Sequence, residues 1–360
     1  MASSVGREVF HPALDKVAIT ISIYSLYILS SLQIEKWMYI AGSENMSGVH
    51  KISMIGAGNV GATAGQKIAE RDIADELVFV DVVEGLPQGR ALDMMESAPV
   101  EGFNTKISGS NDYSAIAGSD IIVVTAGLAR KPGMTRSDLL DKNATIISSV
   151  SESIRKHAPN SIVVVVTNPM DIMTYLLFRK TGFPGSRVVG MAGVLDTSRF
   201  RTFVSMETNA YPSQVSAFVL GGHGPSMVPV ISSSSVGGVP LVQLLEREKI
   251  DEIIKRTRMG GDEIVNFLKT GSAFYAPASS IYEMVQSIAL DEKRILPCSA
   301  HIDGEYGIRD IYTGVPVILG RKGVEKIIEL SITAEEAEAL KQSAESVRKD
   351  VQLLTDHKFL

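Results

Sequence analysis

The sequence predicts an α/β protein in which a doubly wound parallel sheet occupies residues 48–190 and a second, mixed α/β domain occupies 191–360. Three observations carry this expectation. From His50 onward short β-rich runs alternate with longer helical patterns, the arrangement that builds a parallel sheet with helices on both faces. Two of the runs, IIVVT (121–125) and IVVVVT (162–167), are continuously apolar rather than alternating, as strands buried on both faces must be. The rhythm then changes after Asn168-Pro169.

Taken in order, the first half reads as strand HKISMI, helix 59–71, strand LVFVDVV, helix 84–97, strand TKISGS, strand IIVVTAG, helix 137–157 and strand SIVVVVT. The second half reads as helices at 170–181 and 194–210, an antiparallel-looking SQVSAFVLGG, one long helix over 241–269, a hairpin-like segment around 295–320 and a C-terminal helix over 332–354. Residues 1–45 differ from the rest. Their run VAITISIYSLYILSSL (17–32), preceded by Lys16, reads either as a signal-like or membrane segment or as upstream sequence before a start at Met38 or Met46. The second reading is preferred, which leaves 1–45 outside the fold.

Composition narrows the function classes. The 360 residues are 45% hydrophobic and 21% charged, an ordinary globular balance. With 35 Lys and Arg against 41 Asp and Glu the net charge is −6, so there is no general attraction for a nucleic acid. Cys298 is the single cysteine, which excludes an intrachain disulfide and a zinc site built on clustered cysteines. No metal ligand set is expected. A reducing, cytoplasmic setting without membrane attachment fits.

Gly56-Ala57-Gly58-Asn59-Val60-Gly61 follows the first strand directly and opens a helix. In that context the first glycine permits a tight turn, the second admits a pyrophosphate to the backbone, and the third lets helix and strand pack while the helix N-terminus faces the phosphates. The next strand ends in Asp81, where a carboxylate accepts hydrogen bonds from ribose hydroxyls and repels a 2′-phosphate. The first domain is therefore expected to be of the Rossmann kind and to take NAD rather than NADP.

Reducing a 2-oxo acid with a nicotinamide requires a proton donor at the carbonyl, a cation that polarises its oxygen and a clamp for the carboxylate. His223, flanked by glycines in GGHG, can be the donor, or a structural histidine near a turn. Asp196 and Arg199 stand three apart in LDTSRF and share a helix face, so Asp196 can orient an imidazole while Arg199 grips a carboxylate; a local surface ion pair is the alternative. The segment Gly127 to Arg136 carries Arg130, Lys131 and Arg136 among Gly and Pro, which suits a mobile lid over an anionic substrate or a merely solvated loop. Asn168 ends a central strand and either donates to the substrate oxygen or starts the turn before Pro169.

These motifs, GAGNVG, Asp81, AGLARKPGMTRSDLL, TNPMD, LDTSRFR and GGHG, occur in the order that characterises the lactate/malate dehydrogenase family, and residues 48–355 resemble it. The likeness is greatest to its lactate-dehydrogenase-like malate enzymes. It implies NAD-dependent, reversible oxidation of malate to oxaloacetate with His223 as proton acceptor and donor, Asp196 as its partner, Arg199 as carboxylate clamp, Arg136 as the lid residue that polarises the carbonyl, and Asn168 as a substrate and cofactor contact. It also implies that Asn143 and the backbone at Val166 and Thr167 meet the nicotinamide half, and that Ala273 lines the substrate pocket. Arg130 occupies the position that is usually arginine in malate enzymes and glutamine in lactate enzymes. The physics agrees, since oxaloacetate brings a second carboxylate whereas pyruvate would strand the charge. A homo-oligomer, dimer or tetramer, is implied as well. One departure stands out: Pro225 replaces an aspartate common in the family. It motivates a rival reading as a catalytically weakened NAD-binding protein, beside a lactate or broader 2-hydroxy acid dehydrogenase.

Overall fold

The computed structural model describes residues 48–128 and 136–360, the side chain of Arg136 excepted. Arg130, the extension 1–45 and the apolar run at 17–32 lie outside the described residues. Among the described helices none is long and apolar enough to cross a membrane.

The alternating pattern folds as expected through the first half. Strands β1 (Lys51–Ile55), β2 (Glu76–Val80), β3 (Lys106–Ser110), β4 (Ile121–Val124), β5 (Ile162–Val165) and β6 (Val188–Gly190) pair in parallel in the order β3-β2-β1-β4-β5-β6. Between them run α1 (Asn59–Ala69), α2 (Leu86–Glu101), α3 (Arg136–His157) and α4 (Met170–Thr181). Every residue of β4 and β5 is buried, which is why those runs are apolar throughout.

The second half contains α5 (Gly193–Thr208), five two-residue strands β7 (Val215–Ser216), β8 (Val219–Leu220), β9 (Val228–Pro229), β10 (Ser235–Val236) and β11 (Val239–Pro240), then α6 (Arg247–Arg258), α7 (Gly260–Leu268) and α8 (Tyr275–Ala289). It closes with β12 (Arg294–Ile302), β13 (Ile311–Gly320), β14 (Gly323–Ile327) and α9 (Ala334–Asp356). The expected hairpin around 295–320 is β12 and β13. These strands do not form a sheet of their own: β12 pairs antiparallel with β6, and the main sheet runs on through β13 to β14 for nine strands.

Apolar side chains cover both faces. Ala64, Ile68, Ile281, Val285 and Leu340 belong to the core on one side, and Leu140, Ile147, Met173, Leu176 and Leu354 to the core on the other. At ~25 cal/mol per Å² of apolar surface, this double burial is the main force holding the sheet between its helices.

One expectation needs correction. The single helix over 241–269 is a short turn at 241–243 followed by α6 and α7, which break at Met259. The adjoining Gly260 packs on Arg199, where an added Cβ would lie 3.1 Å from Cδ, so the break serves a close approach that an unbroken apolar pattern conceals. SQVSAFVLGG is antiparallel as expected, with β7 pairing with β10 and β8 with β9.

Candidate active site

Since β1 and β4 are neighbours while the chain winds outward from each in opposite directions, a crevice opens beyond their carboxyl ends, where ligands bind in such sheets. The glycine motif lies there. Gly56 has φ +107°, and a Cβ on it would stand 2.6 Å from Thr125 Oγ1 and 2.7 Å from the Ala126 nitrogen, so only glycine fits between β1 and β4. The Thr125 hydroxyl donates to the Gly56 carbonyl at 3.0 Å and fastens the two strand ends together. On Gly61 a Cβ would fall 2.0 Å from that same carbonyl, which seats α1 directly on the turn. Gly58 is different: a Cβ there meets nothing within 4 Å. With no side chain capping α1, the first N–H groups of the helix face that open space.

Asp81 reaches back to this loop. Its Oδ2 accepts from the Ala57 N–H at 2.7 Å and its Oδ1 from the Val83 N–H at 3.0 Å, which leaves each oxygen a lone pair for a hydroxyl. Asn59 accepts from Arg90 at 3.4 Å, and Val60 is half-buried against the core. An open backbone cradle with a carboxylate one turn away fits the pyrophosphate and adenosine ribose of a dinucleotide.

At the adjoining ends of β4 and β5, Asn143 is fully buried and binds protein. Its Oδ1 accepts from the Leu128 N–H at 2.8 Å, and its amide donates to the Leu128 and Asn168 carbonyls at 3.2 and 2.6 Å. It thus holds the backbone at Leu128 against the end of β5. Thr167 is buried and donates to the Ala126 carbonyl at 2.6 Å, Val166 continues the pairing with β4, and the side chain of Asn168 is exposed at the rim.

His223, Asp196 and Arg199 converge although up to 27 residues separate them. His223 Nδ1 lies 2.8 Å from Asp196 Oδ2. Since a carboxylate only accepts, Nδ1 carries the hydrogen and Nε2 is left to exchange a proton. Asp196 is 2% exposed and His223 17%, so the carboxylate is sealed while the ring keeps access. Burial disfavours the imidazolium, but the Asp196 charge and hydrogen bond, with the Asp171 charge, outweigh it and raise the His223 pKa above the ordinary 6.5. Arg199 NH1 stands 3.5 Å from Asp196 Oδ1, and its buried Nε has no hydrogen-bond partner among the described residues. An orphaned guanidinium donor beside an acid–base pair suits an incoming carboxylate.

Three anchors of His223 were not legible beforehand. Asp171 on α4 accepts the His223 backbone N–H at 2.7 Å and the Ser299 hydroxyl of β12 at 2.6 Å. Ser343 on α9 accepts the Gly222 N–H at 2.8 Å. The signals available were Asp171 as the last residue of the TNPMD motif and an aspartate within the mostly apolar MDIMTYLL. Pro225 is exposed in a turn closed by the Met227 N–H donating to the Gly224 carbonyl at 3.1 Å, a position that tolerates proline well. Arg130, and the side chain of Arg136, lie outside the described residues; Ala273 is half-buried just before α8.

The two halves of this arrangement match two family descriptions. Residues 50–190 match the lactate/malate dehydrogenase NAD binding domain, and residues 193–357 match the alpha/beta C-terminal domain of the same family. A malate dehydrogenase of Chlorobium luteolum is 56% identical over 304 residues, 84% of this chain and 98% of that protein. The apo malate dehydrogenase of Picrophilus torridus superposes with a TM-score of 0.83 at 51% identity, covering 86% of this chain and 98% of the other. The lactate dehydrogenase of Cryptosporidium parvum, solved with lactic acid and nicotinamide adenine dinucleotide, gives 0.83 at 43% identity over 85% and 98%. With the dinucleotide cradle at one strand edge and an imidazole–carboxylate pair in the second half, the chain belongs to the lactate/malate dehydrogenase family.

Proposed function

We infer that the protein is an NAD-dependent malate dehydrogenase, with residues 48–190 holding NAD, residues 191–360 carrying the substrate chemistry and residues 1–45 outside the fold. The observation that carries this reading is the His223–Asp196 pair at 2.8 Å beside an Arg199 whose Nε has no partner among the described residues. Gly56, Ala57, Gly58, Asn59, Val60 and Gly61 cradle the pyrophosphate, and Asp81 takes the adenosine ribose hydroxyls. Asn143 acts by holding the Leu128 and Asn168 backbone in place, while Val166 and Thr167 shape the wall beside the nicotinamide.

Arg199 grips the carboxylate next to the reacting carbon with its fork, and Arg130 pairs the distal carboxylate, the group that separates malate from lactate. Asn168 and Arg136 donate to the C2 oxygen. His223 Nε2 takes the hydroxyl proton as the C2–O bond gains double-bond character, and Asp196 stabilises the imidazolium that forms. The chemistry that NAD supplies when bound is acceptance of the hydride from C2. In reverse, protonated His223 returns its proton to the oxygen of oxaloacetate.

Exposed apolar side chains on α2, Leu92 and Val100, support a homo-oligomer, and the single cysteine is in keeping with a cytoplasmic enzyme. The test is NADH oxidation followed near 340 nm with oxaloacetate and pyruvate side by side. Fast bleaching with oxaloacetate alone is expected. Comparable rates with pyruvate would turn the reading toward a broader 2-hydroxy acid dehydrogenase, and tight NADH binding without turnover toward a catalytically idle nucleotide-binding protein.

A further inference from the structure

Asp171 has no evident reason to be charged. It sits in the first turn of α4, is 5% exposed, and among the described residues no lysine or arginine pairs with it. Its two partners are neutral donors, the Ser299 hydroxyl at 2.6 Å and the His223 N–H at 2.7 Å. An asparagine satisfies both, since its Oδ1 can accept from His223 while its amide donates to a reoriented Ser299 hydroxyl. Burying an anion without a cation is costly, so a carboxylate where an amide would serve needs a separate explanation.

We propose that Asp171 is a positioning residue that clamps the backbone of the His223 loop and sets a second negative charge beside the imidazole, so that His223 is held ready in its protonated form. The charges around the ring support this. From α5 come Asp196 and Arg199, from α4 comes Asp171, and β12 and α9 contribute only the hydroxyls of Ser299 and Ser343. With a neutral ring the cluster carries one excess negative charge; protonation brings it to zero. Without Asp171 the neutral ring already leaves Asp196 and Arg199 balanced, and protonation would create an excess. The N-terminus of α4 favours the anion, and with the Ser299 hydroxyl and the His223 N–H both donating, the two carboxylate oxygens are satisfied without a proton. Burial still pushes Asp171 above the usual carboxylate value, although the Ser299 and His223 donors pull against it.

The structural core of this inference is independent of turnover; only its kinetic consequence rests on the dehydrogenase reading. The decisive measurement is the NMR titration of the His223 ring in the full chain. In the wild type it should fall above 6.5 and in Asp171→Asn drop by about one unit, with the alkaline limb of oxaloacetate reduction moving down by the same amount. Asp171→Ala should cost kcat about tenfold by orphaning the His223 N–H, and Asn should recover most of that kcat without recovering the titration. Ser299→Ala keeps the charge and should leave the titration in place. The proposal is overturned by a wild-type titration at or below 6.5, by an unchanged titration in Asp171→Asn, or by an equal drop in Ser299→Ala. A wild type that titrates as expected yet does not turn over oxaloacetate would instead sink the dehydrogenase reading and leave this one standing.

Discussion

At the glycine motif the geometry is set by backbone, within a single strand–turn–helix, and the side chains that matter are mostly absent ones: Gly56 and Gly61 exclude a Cβ for the protein's sake, whereas a Cβ on Gly58 would meet no protein atom within 4 Å. Around His223 the reverse holds. The ring is set by side chains from α4, α5, β12 and α9, as much as 121 residues away from the loop they hold, and two of them, Asp171 and Asp196, are carboxylates. A site made of backbone tolerates any side chain that stays out of the way, whereas a site made of charges fails when one is removed. The sharpest break of this comparison comes from His223 itself. Changing His223→Asn should lower kcat ~10²- to 10⁴-fold while NADH binding, read by fluorescence titration, stays within about twofold. A parallel loss of NADH affinity would mean that the two regions are not separable.

The next largest effect belongs to Arg130. On the proposed malate reading, Arg130→Gln should cut the preference for oxaloacetate over pyruvate, measured as the ratio of kcat/KM values, by about 10²-fold or more, because the cation proposed to pair the distal carboxylate is gone. A ratio that does not move would relocate substrate choice to another residue.

How much of this was legible in the sequence follows from the same contrast. The first half was readable because each signal is local: a strand of period two or continuous apolarity, a glycine turn, a helix, and Asp81 at the end of the next strand, all within one βαβ unit. Asp171 was not, since its meaning depends on β12 arriving 128 residues later with Ser299. The break at Met259 was hidden because α6 and α7 both keep helical apolar spacing, and only the approach of Gly260 to Arg199 explains it. The carboxamide of Asn143, assigned to the cofactor by resemblance, also bridges Leu128 and Asn168, a loop-to-loop tie that spacing cannot reveal.

Within the glycine motif a smaller pair of changes separates fold from ligand. Gly61→Ala drives a Cβ to 2.0 Å from the Gly56 carbonyl and should lower stability by ~1–3 kcal/mol, seen as a fall in Tm of the apoprotein. Gly58→Ala meets no protein atom within 4 Å, so Tm should hold while NADH Kd rises about tenfold, equivalent to ~1.4 kcal/mol. Equal losses of Tm in both would show that Gly58 serves the turn rather than the pyrophosphate.

Pro225 should give the smallest effect of all. Its ring is exposed, its fixed φ suits the second position of the turn closed by Met227, and the N–H that proline lacks is one that such a turn leaves unused. The placement of His223 is fixed upstream of it by Asp171 and Ser343, and the imidazole's charge partner is Asp196, so no hydrogen bond that orients the ring passes through residue 225. Pro225→Asp adds a solvated carboxylate two residues from the ring, screened by water and salt. Stability should therefore change by less than about 0.5 kcal/mol and kcat by less than about twofold, with the pH profile moving slightly upward because a new negative charge favours imidazolium. A large gain in kcat would mean that the charge cluster of Asp171, Asp196 and Arg199 is incomplete without that residue, and that the side-chain site extends one turn further toward solvent than its hydrogen bonds indicate.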